Sequence, residues 1–260
     1  MKKSISSLAL MGCLTVVANS AYADCASLPT HAQLAVALSG ARNQANGGFN
    51  LDMWGTIVDR DGVVCAIAKT GAAGDQWPGS RVISAQKANT ANAFSLPGLA
   101  LSTANLYTAV QPGGSLFGLQ ESNPVDINVA YVGSAATWGT AADDLVTEKI
   151  GGVNVFGGGL ALYDDNGNLL GAIGVSGDSS CADHNIAWRT RHALVLDNVP
   201  GGVNPTNADD NIVYDIVPTN PGKSGFESTA STSGWGHPAC SAAATAIAEG
   251  FPKAGSGNPL

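Results

Sequence analysis

Charged and aromatic residues are scarce in this chain of 260 residues, at 12% and 6% of the total. The few charges are mostly acidic, which gives a formal net charge of −8 at pH 7. This balance argues against nucleic acid and anionic membrane surfaces as partners. By contrast, 33 residues are glycine and 45% are hydrophobic. The chain can therefore bury one good core, and its low charge predicts further burial by packing or by assembly into a homo-oligomer.

Several common functional motifs are also absent from the sequence. Beyond the first 23 residues no segment reaches the roughly 18 consecutive apolar residues of a membrane span. No C-x-x-C pair or calcium-binding D-x-[DN]-x-[DN]-G loop occurs. Gly171, Gly174 and Gly177 have the wrong spacing for a dinucleotide or phosphate loop, and Asp178 replaces the last glycine of a nucleophile elbow around Ser176. A nucleotide site and a serine hydrolase are therefore disfavoured.

The first 23 residues have the pattern of a signal peptide. Lys2 and Lys3 precede an apolar stretch, Leu8–Ala18, and Ala21-Tyr22-Ala23 fits an A-x-A cleavage site. A lipoprotein signal at Cys13 is the alternative, but it would leave an apolar run after the cleavage point. We therefore predict cleavage after Ala23 and a periplasmic or secreted protein.

Four cysteines remain after that cleavage, and an exported chain is expected to oxidise them. We favour a Cys181–Cys240 disulfide, because it would join a long C-terminal tail to the rest of the fold. Cys25–Cys65 is then the remaining pair. Four cysteines allow three connectivities, and buried free thiols are a further alternative.

Local patterns predict an α+β order of elements. Apolar runs at Met53–Val58 and Val63–Ala68 flank Asp61-Gly62 and predict a hairpin. Helical spacing is seen after Leu28-Pro29-Thr30 and over Ser80–Ser95. The remaining predictions are a helix at Leu99–Val110, strands at Ile127–Val132 and Ile212–Val217, and a last helix over His237–Glu249.

The most informative stretch runs from Phe156 to Arg191. Two apolar strands, Leu160–Tyr163 and Leu169–Val175, flank Asn166-Gly167, which favours a two-residue hairpin turn. A glycine-rich bend follows, and Ser180 with Asp183 fits the capping box of a helix running to about Leu196. The three pairs of acids in the sequence are interpreted as solvated turn residues: Asp143-Asp144, Asp164-Asp165 and Asp209-Asp210.

Two stretches in particular resemble the GlcG/HbpS family, also called the haem-degrading domain family. They are the GAIGVSG segment at Gly171–Gly177 and the KANTANAF segment at Lys87–Phe94. The resemblance implies a profilin- or PAS-like fold, with a five-stranded antiparallel sheet flanked by helices, and a homo-oligomer. It covers a domain at residues 24–195, with an insertion at 111–152 and a C-terminal extension at 196–260 packed on the same domain.

The resemblance also implies haem as a possible cofactor, and haem needs an axial donor. Among the four histidines His184 is the best candidate iron ligand, since it lies at the start of the helix predicted after the glycine-rich bend, with Trp188 one turn on. Arg191, and Arg189 beside it, could meet haem propionates. Lys87 and Thr90 lie on the signature helix that faces the pocket implied by the family. The simpler interpretations are a helix-start role for His184 and a solvated surface for Lys87.

These observations favour an exported protein that binds haem or a related tetrapyrrole. Two alternatives remain open. One is an enzyme that degrades haem or a small molecule in the same pocket, and the other is a non-catalytic periplasmic accessory protein.

Overall fold

The structure is a computed structural model that describes residues 24–218 and 229–260. The predicted signal peptide, residues 1–23, lies outside the described residues. The larger helices are α1 (His31–Arg42), α2 (Ser80–Phe94), α5 (Ser180–Ala193) and α6 (Ala242–Glu249), and the one-turn helices α3 (Leu119–Ser122) and α4 (Ile127–Ala130) lie between α2 and α5. The strands are β1 (Trp54–Asp59), β2 (Val64–Lys69), β3 (Gly159–Tyr163), β4 (Leu169–Ser176), β5 (Ile216–Pro218) and β6 (Thr229–Ser231).

Two hairpins build a four-stranded antiparallel sheet in the order β2-β1-β4-β3. The turns of both hairpins have the same form. Gly62 and Gly167 each adopt a positive φ, 79° and 76°, at the end of a three-residue loop. The expected two-residue turn at Asn166-Gly167 is thus one residue longer, with Asp164 and Asn168 closing it.

Helices cover both faces of this sheet. Helix α2 packs on one face, and α1 and α5 pack on the other. Helix α2 approaches β4 so closely that a Cβ at Gly174 would lie 1.9 Å from the Ser84 carbonyl oxygen and 2.5 Å from the Ala88 nitrogen. Glycine is therefore required there by the packing of two main chains.

The sheet has four strands rather than the five implied by the family resemblance. Its two edges are occupied by short contacts instead. Val64 of β2 exchanges backbone hydrogen bonds with Thr147 and Glu148, and Tyr163 of β3 donates from its backbone to Leu196. The strand-like run at Ile212–Val217 contributes only β5, which pairs with β6 in a separate two-stranded sheet.

Three local predictions are wrong. Leu99–Val110 forms two 3₁₀ turns rather than a helix. The predicted strand at Ile127–Val132 is the one-turn helix α4, because the Asp126 side chain caps it by accepting from the Asn128 amide. The last helix begins at Ala242 rather than at His237, because the Ser241 side chain caps the helix there by accepting from the Ala244 amide.

Residues 111–152, called the insertion below, and residues 196–260, the extension, pack on opposite sides of the sheet. Ala130, Leu145 and Ile150 of the insertion join the apolar cluster between α2 and the sheet. Phe251 and Ala254 of the extension join the cluster of α1 and α5. Each added segment therefore enlarges a different one of these two clusters, and both segments meet in a third cluster, to which Leu119 of the insertion and Trp235 of the extension contribute.

Both predicted disulfides are present, Cys25–Cys65 and Cys181–Cys240. The second joins the first turn of α5 to the extension, as expected. Within the described ranges, none of the helices has the length and apolar character needed to traverse a bilayer.

Candidate functional site

The N-terminal turn of α5 forms a buried ion pair with α2. Lys87 is 1% exposed, and its Nζ lies 2.7 Å from Asp183 Oδ2 and 3.1 Å from the Val175 carbonyl oxygen. Asp183 Oδ1 accepts from the Asp178 amide. Burial raises the pKa of Asp183 to about 6, against the opposing effect of the Lys87 ammonium. Lys87 therefore joins α2, β4 and α5, and it is not the solvated surface residue of the simpler interpretation.

The helix start also differs from the predicted capping box. Ser179, not Ser180, is the N-cap, and its Oγ accepts from the Ala182 amide. Asp183 then lies in the first turn with both carboxylate oxygens occupied by Lys87 and Asp178. The S-x-x-D spacing correctly predicted a helix start, but Asp183 forms an ion pair with Lys87 instead of capping the helix.

Thr90 lies one turn after Lys87 on α2 and is fully buried. Its hydroxyl donates to the Gln86 carbonyl and accepts from the Asn154 amide. Thr90 thereby fixes the chain that leaves the insertion, and its hydroxyl has no remaining proton to offer a ligand.

His184 follows Asp183 and is completely buried. Its Nε2 lies 3.2 Å from Asn211 Oδ1 and 3.1 Å from the Ile212 amide nitrogen. Nδ1 is buried and has no hydrogen-bond partner among the described residues. Burial, reinforced by the positive charge of Arg191, lowers the pKa of His184 to about 3. The ring is therefore neutral at physiological pH, the state in which imidazole binds a metal.

Arg191 lies two turns further along α5, also fully buried. Its guanidinium forms a bidentate ion pair with Asp210, at 2.7 and 2.8 Å, and lies 4.7 Å from the centre of the Trp188 ring. A haem propionate would have to compete with Asp210 for this group. Arg189, by contrast, faces the loop after α1 and donates to the Ala45 carbonyl at 2.7 Å.

Two of the three acid pairs are not the solvated turns expected from the sequence. Asp209 and Asp210 are fully buried, and Asp143 is 2% exposed. Asp143 pairs with the buried Arg81, with 3.0 Å between Nε and Oδ2. Asp143 and Asp210 neutralise buried arginines of the helices, and Asp209 accepts from the amides of Asn211 and Ala254, so these acids belong to the core.

One cluster in the described part of the chain has the composition of a metal site: Cys25, Asp59 and Cys65. Its two sulfurs are joined to each other in a disulfide. Neither is a thiolate, so the cluster in this form lacks the soft ligands that its composition suggests.

An apolar groove of about 780 Å³ lies between α1 and the end of α5, bordered by Val36, Gly40, Ala193 and Val195. Val195 is strained, with φ at 57° in the left-handed region that β-branched residues avoid, and it is 63% exposed. At 100° per residue, Ala193 lies on the opposite side of α5 from His184. The groove and the imidazole are therefore separate candidate sites.

Sequence reasoning missed the partner of His184. Asn211 lies 27 residues away in an irregular segment rich in Asn and Asp, where nothing distinguishes it from a solvated turn. For His237 the sequence suggested only local bonding; the ring does lie 2.8 Å from the Pro238 carbonyl oxygen, but it is also 2% exposed and accepts from the distant Gly157 amide through Nε2. Asn211 and His237 both belong to the extension, for which the local sequence pattern predicted only one strand and one helix.

Comparison with known proteins gives one family and several similar structures. Residues 30–191 match the model of a family described as haem degrading protein HbpS-like. No curated protein matches the chain. A PduOC–haem complex is 26% identical, with 63% of this chain and 90% of that chain covered and a TM-score of 0.44. Protein ORFY of Klebsiella pneumoniae is 24% identical, with 64% of this chain and 90% of that chain covered and a TM-score of 0.43. A double mutant of Streptomyces reticuli HbpS is 18% identical, with 74% of this chain and 99% of that chain covered and a TM-score of 0.43.

The family match includes α1, α2, the four-stranded sheet and α5 up to Arg191, and it leaves the extension outside. It spans well over half of the chain. The protein therefore belongs to the HbpS-like family of haem degrading proteins.

Proposed function

We propose that this protein is an exported haem- or tetrapyrrole-binding protein and that His184 supplies the iron ligand. The observation that carries the proposal is the unpartnered Nδ1 of a neutral, buried imidazole within the family-matched segment. A buried polar atom without a hydrogen bond is rare in native proteins and calls for an explanation. A metal ion supplied by a ligand is the explanation that agrees with the family.

The residues around this atom fit a haem-binding role in part. Trp188 lies beside the His184 ring, 6.0 Å between centres, and offers an apolar face. Arg191 is positively charged, but Asp210 must release it before it can bind a propionate. When bound, haem supplies iron-centred redox and ligand-binding chemistry. The chain's own part is to hold a neutral imidazole, exclude water and neutralise carboxylates.

Access of haem to His184 requires movement of the residues around the ring, because the ring is completely buried. Asn211 and Ile212 of the extension are two of these residues and contact Nε2. Lys87 and Thr90 remain proposed site residues, acting by fixing α2 against α5 and the chain after the insertion. Two disulfides are compatible with export and support that part of the proposal. Assembly into a homo-oligomer is likewise proposed, supported by the exposed apolar side chains Val36 and Val195 along the groove.

A haemin titration tests the proposal. We expect a sharp one-to-one Soret shift in the wild type and its loss in His184→Ala. Gly40→Trp is the matched control, because Gly40 borders the groove and a Cβ added there meets no atom within 4 Å. Binding should survive in that variant.

Three outcomes contradict the proposal in different ways. A featureless titration of the wild type rejects haem binding. A Soret band that survives His184→Ala but is lost in Gly40→Trp moves the ligand to the groove. Co-purification of a periplasmic protein without any chromophore favours the accessory role.

Haem degradation is the second candidate, because the family description names it. It predicts that the Soret band of the loaded protein decays when ascorbate supplies electrons and dissolved dioxygen supplies the oxidant, and that a linear tetrapyrrole accumulates. A stable band under ascorbate favours binding alone.

A further inference from the structure

Helix α1 is apolar on its outer side as well as on the side that packs on the core. Leu34 and Leu38 are buried, whereas Ala32, Val36 and Gly40 lie one turn apart and are exposed. A helix at the surface of a soluble protein normally carries polar residues on its outer side. This exposed apolar row forms one wall of the groove of about 780 Å³ between α1 and the end of α5.

Gly40 keeps that wall open. It lies inside α1, where glycine is less favourable than every other residue except proline. Neither the backbone nor the packing requires a glycine there, because its φ is not positive and an added Cβ would meet no atom within 4 Å. The consequence of glycine at this position is space, since a larger side chain would enter the groove.

One end of the groove carries a guanidinium that no acid neutralises. Arg189 lines the groove where α1 ends, because its Nη1 donates to the Ala45 carbonyl at 2.7 Å and to the Asn46 side chain. Among the described residues Arg189 forms no ion pair, and its Nη2 forms no hydrogen bond, whereas three other arginines pair with aspartates. An unneutralised cation stands out in a chain with a net charge of −8. The groove thus combines apolar walls with one positive end.

The lining also limits the kind of ligand. Besides Arg189, its polar side chains are Gln33 and Gln44. The described residues that border the groove include no His, Cys, Met or Tyr, which are the side chains that bind haem iron. The lining therefore matches a molecule with an apolar body and one carboxylate, and it offers no ligand for a metal centre.

We propose that the groove binds a fatty acid, with the acyl chain along α1 and the carboxylate on Arg189. The wall from Ala32 to Gly40 is about 12 Å long at a rise of 1.5 Å per residue. Each CH₂ group that the wall removes from water favours binding about fourfold. A carboxylate adds charge-assisted hydrogen bonds to the guanidinium. This site is separate from His184 and goes beyond the proposed function.

Calorimetric titration of the wild-type protein at pH 8 tests the ligand class. Dodecanoate should bind at one site per chain, and the affinity should rise by up to about fourfold per CH₂ from octanoate to dodecanoate. Dodecanol should bind about tenfold more weakly than dodecanoate, because it has no charge to pair with Arg189. Absence of dodecanoate binding, or equal affinities for the acid and the alcohol, overturns the inference.

Two substitutions test the placement of the ligand. Arg189→Met should weaken dodecanoate about tenfold and leave dodecanol within about threefold, whereas a merely structural effect would weaken both ligands equally. Gly40→Trp should weaken both ligands by about tenfold or more, because the indole occupies the space of the acyl chain. Gly40→Ala is the matched control and should stay within about threefold of wild type. Unchanged binding in Gly40→Trp overturns the placement.

Other occupants of the groove give different results. If haemin displaces dodecanoate from both the wild type and His184→Ala, the groove is a tetrapyrrole site and the fatty acid is the wrong ligand. If dodecanoate does not bind and Gly40→Trp dissociates an oligomer in sedimentation velocity, the groove is an interface between copies of this chain. A wild type that binds dodecanoate but no haemin refutes only the proposed function.

Discussion

The insertion and the extension are each held by a buried arginine of the family-matched core. Arg81 of α2 pairs with Asp143 of the insertion and lies 4.5 Å from the centre of the Trp138 ring. Arg191 of α5 pairs with Asp210 of the extension in the same manner, beside a tryptophan. Two unrelated segments on opposite sides of the sheet thus use the same combination of charge and aromatic ring.

The two segments differ in what else fastens them. The extension is joined covalently through Cys181–Cys240, and Ala244 of α6 accepts a side-chain hydrogen bond from Asn185 of α5. The insertion contains no cysteine. Arg81 itself supplies further bonds there, donating to the carbonyls of Ala130 and Val132. The insertion is thus held by the buried Arg81 and by the backbone hydrogen bonds of Val64 with Thr147 and Glu148, while the extension is also held by a covalent bond.

The largest expected effect comes from removing each arginine in turn. Arg81→Met and Arg191→Met each leave a buried aspartate unpaired, which should lower the free energy of unfolding by about 3–5 kcal/mol in denaturant titrations. Hydrogen exchange should distinguish the two variants. Amides of the insertion lose protection throughout in Arg81→Met, whereas Cys181–Cys240 keeps the extension attached in Arg191→Met.

Arg42→Met is the matched control. Its ion pair with Asp52 is partly exposed, with side chains 22% and 20% accessible, so the loss should be about 0–1 kcal/mol. Equal protection of the insertion in the Arg81 variant and the wild type would contradict the comparison.

The second-largest expected effect is that acid pH destabilises the extension more than the insertion. Burial lowers the pKa values of His184 and His237 to about 3 and about 4; the His184 ring contacts the extension, and His237 belongs to it and contacts Gly157. Their contribution to stability is complete above about pH 6.5 and is lost as the pH falls, by about 1.4 kcal/mol per unit for each ring. Asp183, with its pKa raised to about 6, opposes this by gaining stability as the pH falls.

The net prediction is a loss of stability between pH 6 and pH 4, with the extension losing hydrogen-exchange protection before the insertion. His184→Gln removes one titrating ring and should flatten the dependence. A pH profile with the same slope in that variant and the wild type would show that His184 does not carry the effect.

The smallest expected effect concerns the junction where the extension begins. Val195 has a positive φ at the end of α5, where glycine is normally found. Val195→Gly should relieve strain and raise the melting temperature, with a gain of about 1 kcal/mol. Leu194→Gly is a useful contrast, because φ there is −86° and the change should destabilise. A loss of stability in Val195→Gly would mean that contacts of its side chain outweigh the backbone strain.

Local sequence was sufficient for the parts of the fold built from neighbours in the chain. The two hairpins, α1, α2 and α5 follow from periodicity and turn glycines, and the disulfides have the pairing that was favoured among three possible connectivities. The fifth strand was wrong because the sheet edges are covered by short contacts from the insertion and the extension, which have no strand-like pattern.

The candidate site could be predicted only in part for the same reason. His184, Lys87, Thr90 and Arg191 were identified on their helices, but their burial was not. That burial depends on Asp210 and Asn211, polar residues of an irregular segment whose partners lie 19 and 27 residues away. A buried Asp in such a segment has the same local sequence as a solvated one.

The close approach at Gly174 bears on how this family is identified from sequence. The GAIGVSG motif contains that glycine, and its requirement comes from the distance between the backbones of α2 and β4. A match to the motif therefore indicates that a helix can pack directly against the backbone of the strand. Two chains can share it, and share the whole sheet with it, while differing in every atom that a ligand would touch. Grouping such proteins by activity thus requires comparison of residues outside the motif, here those of the extension.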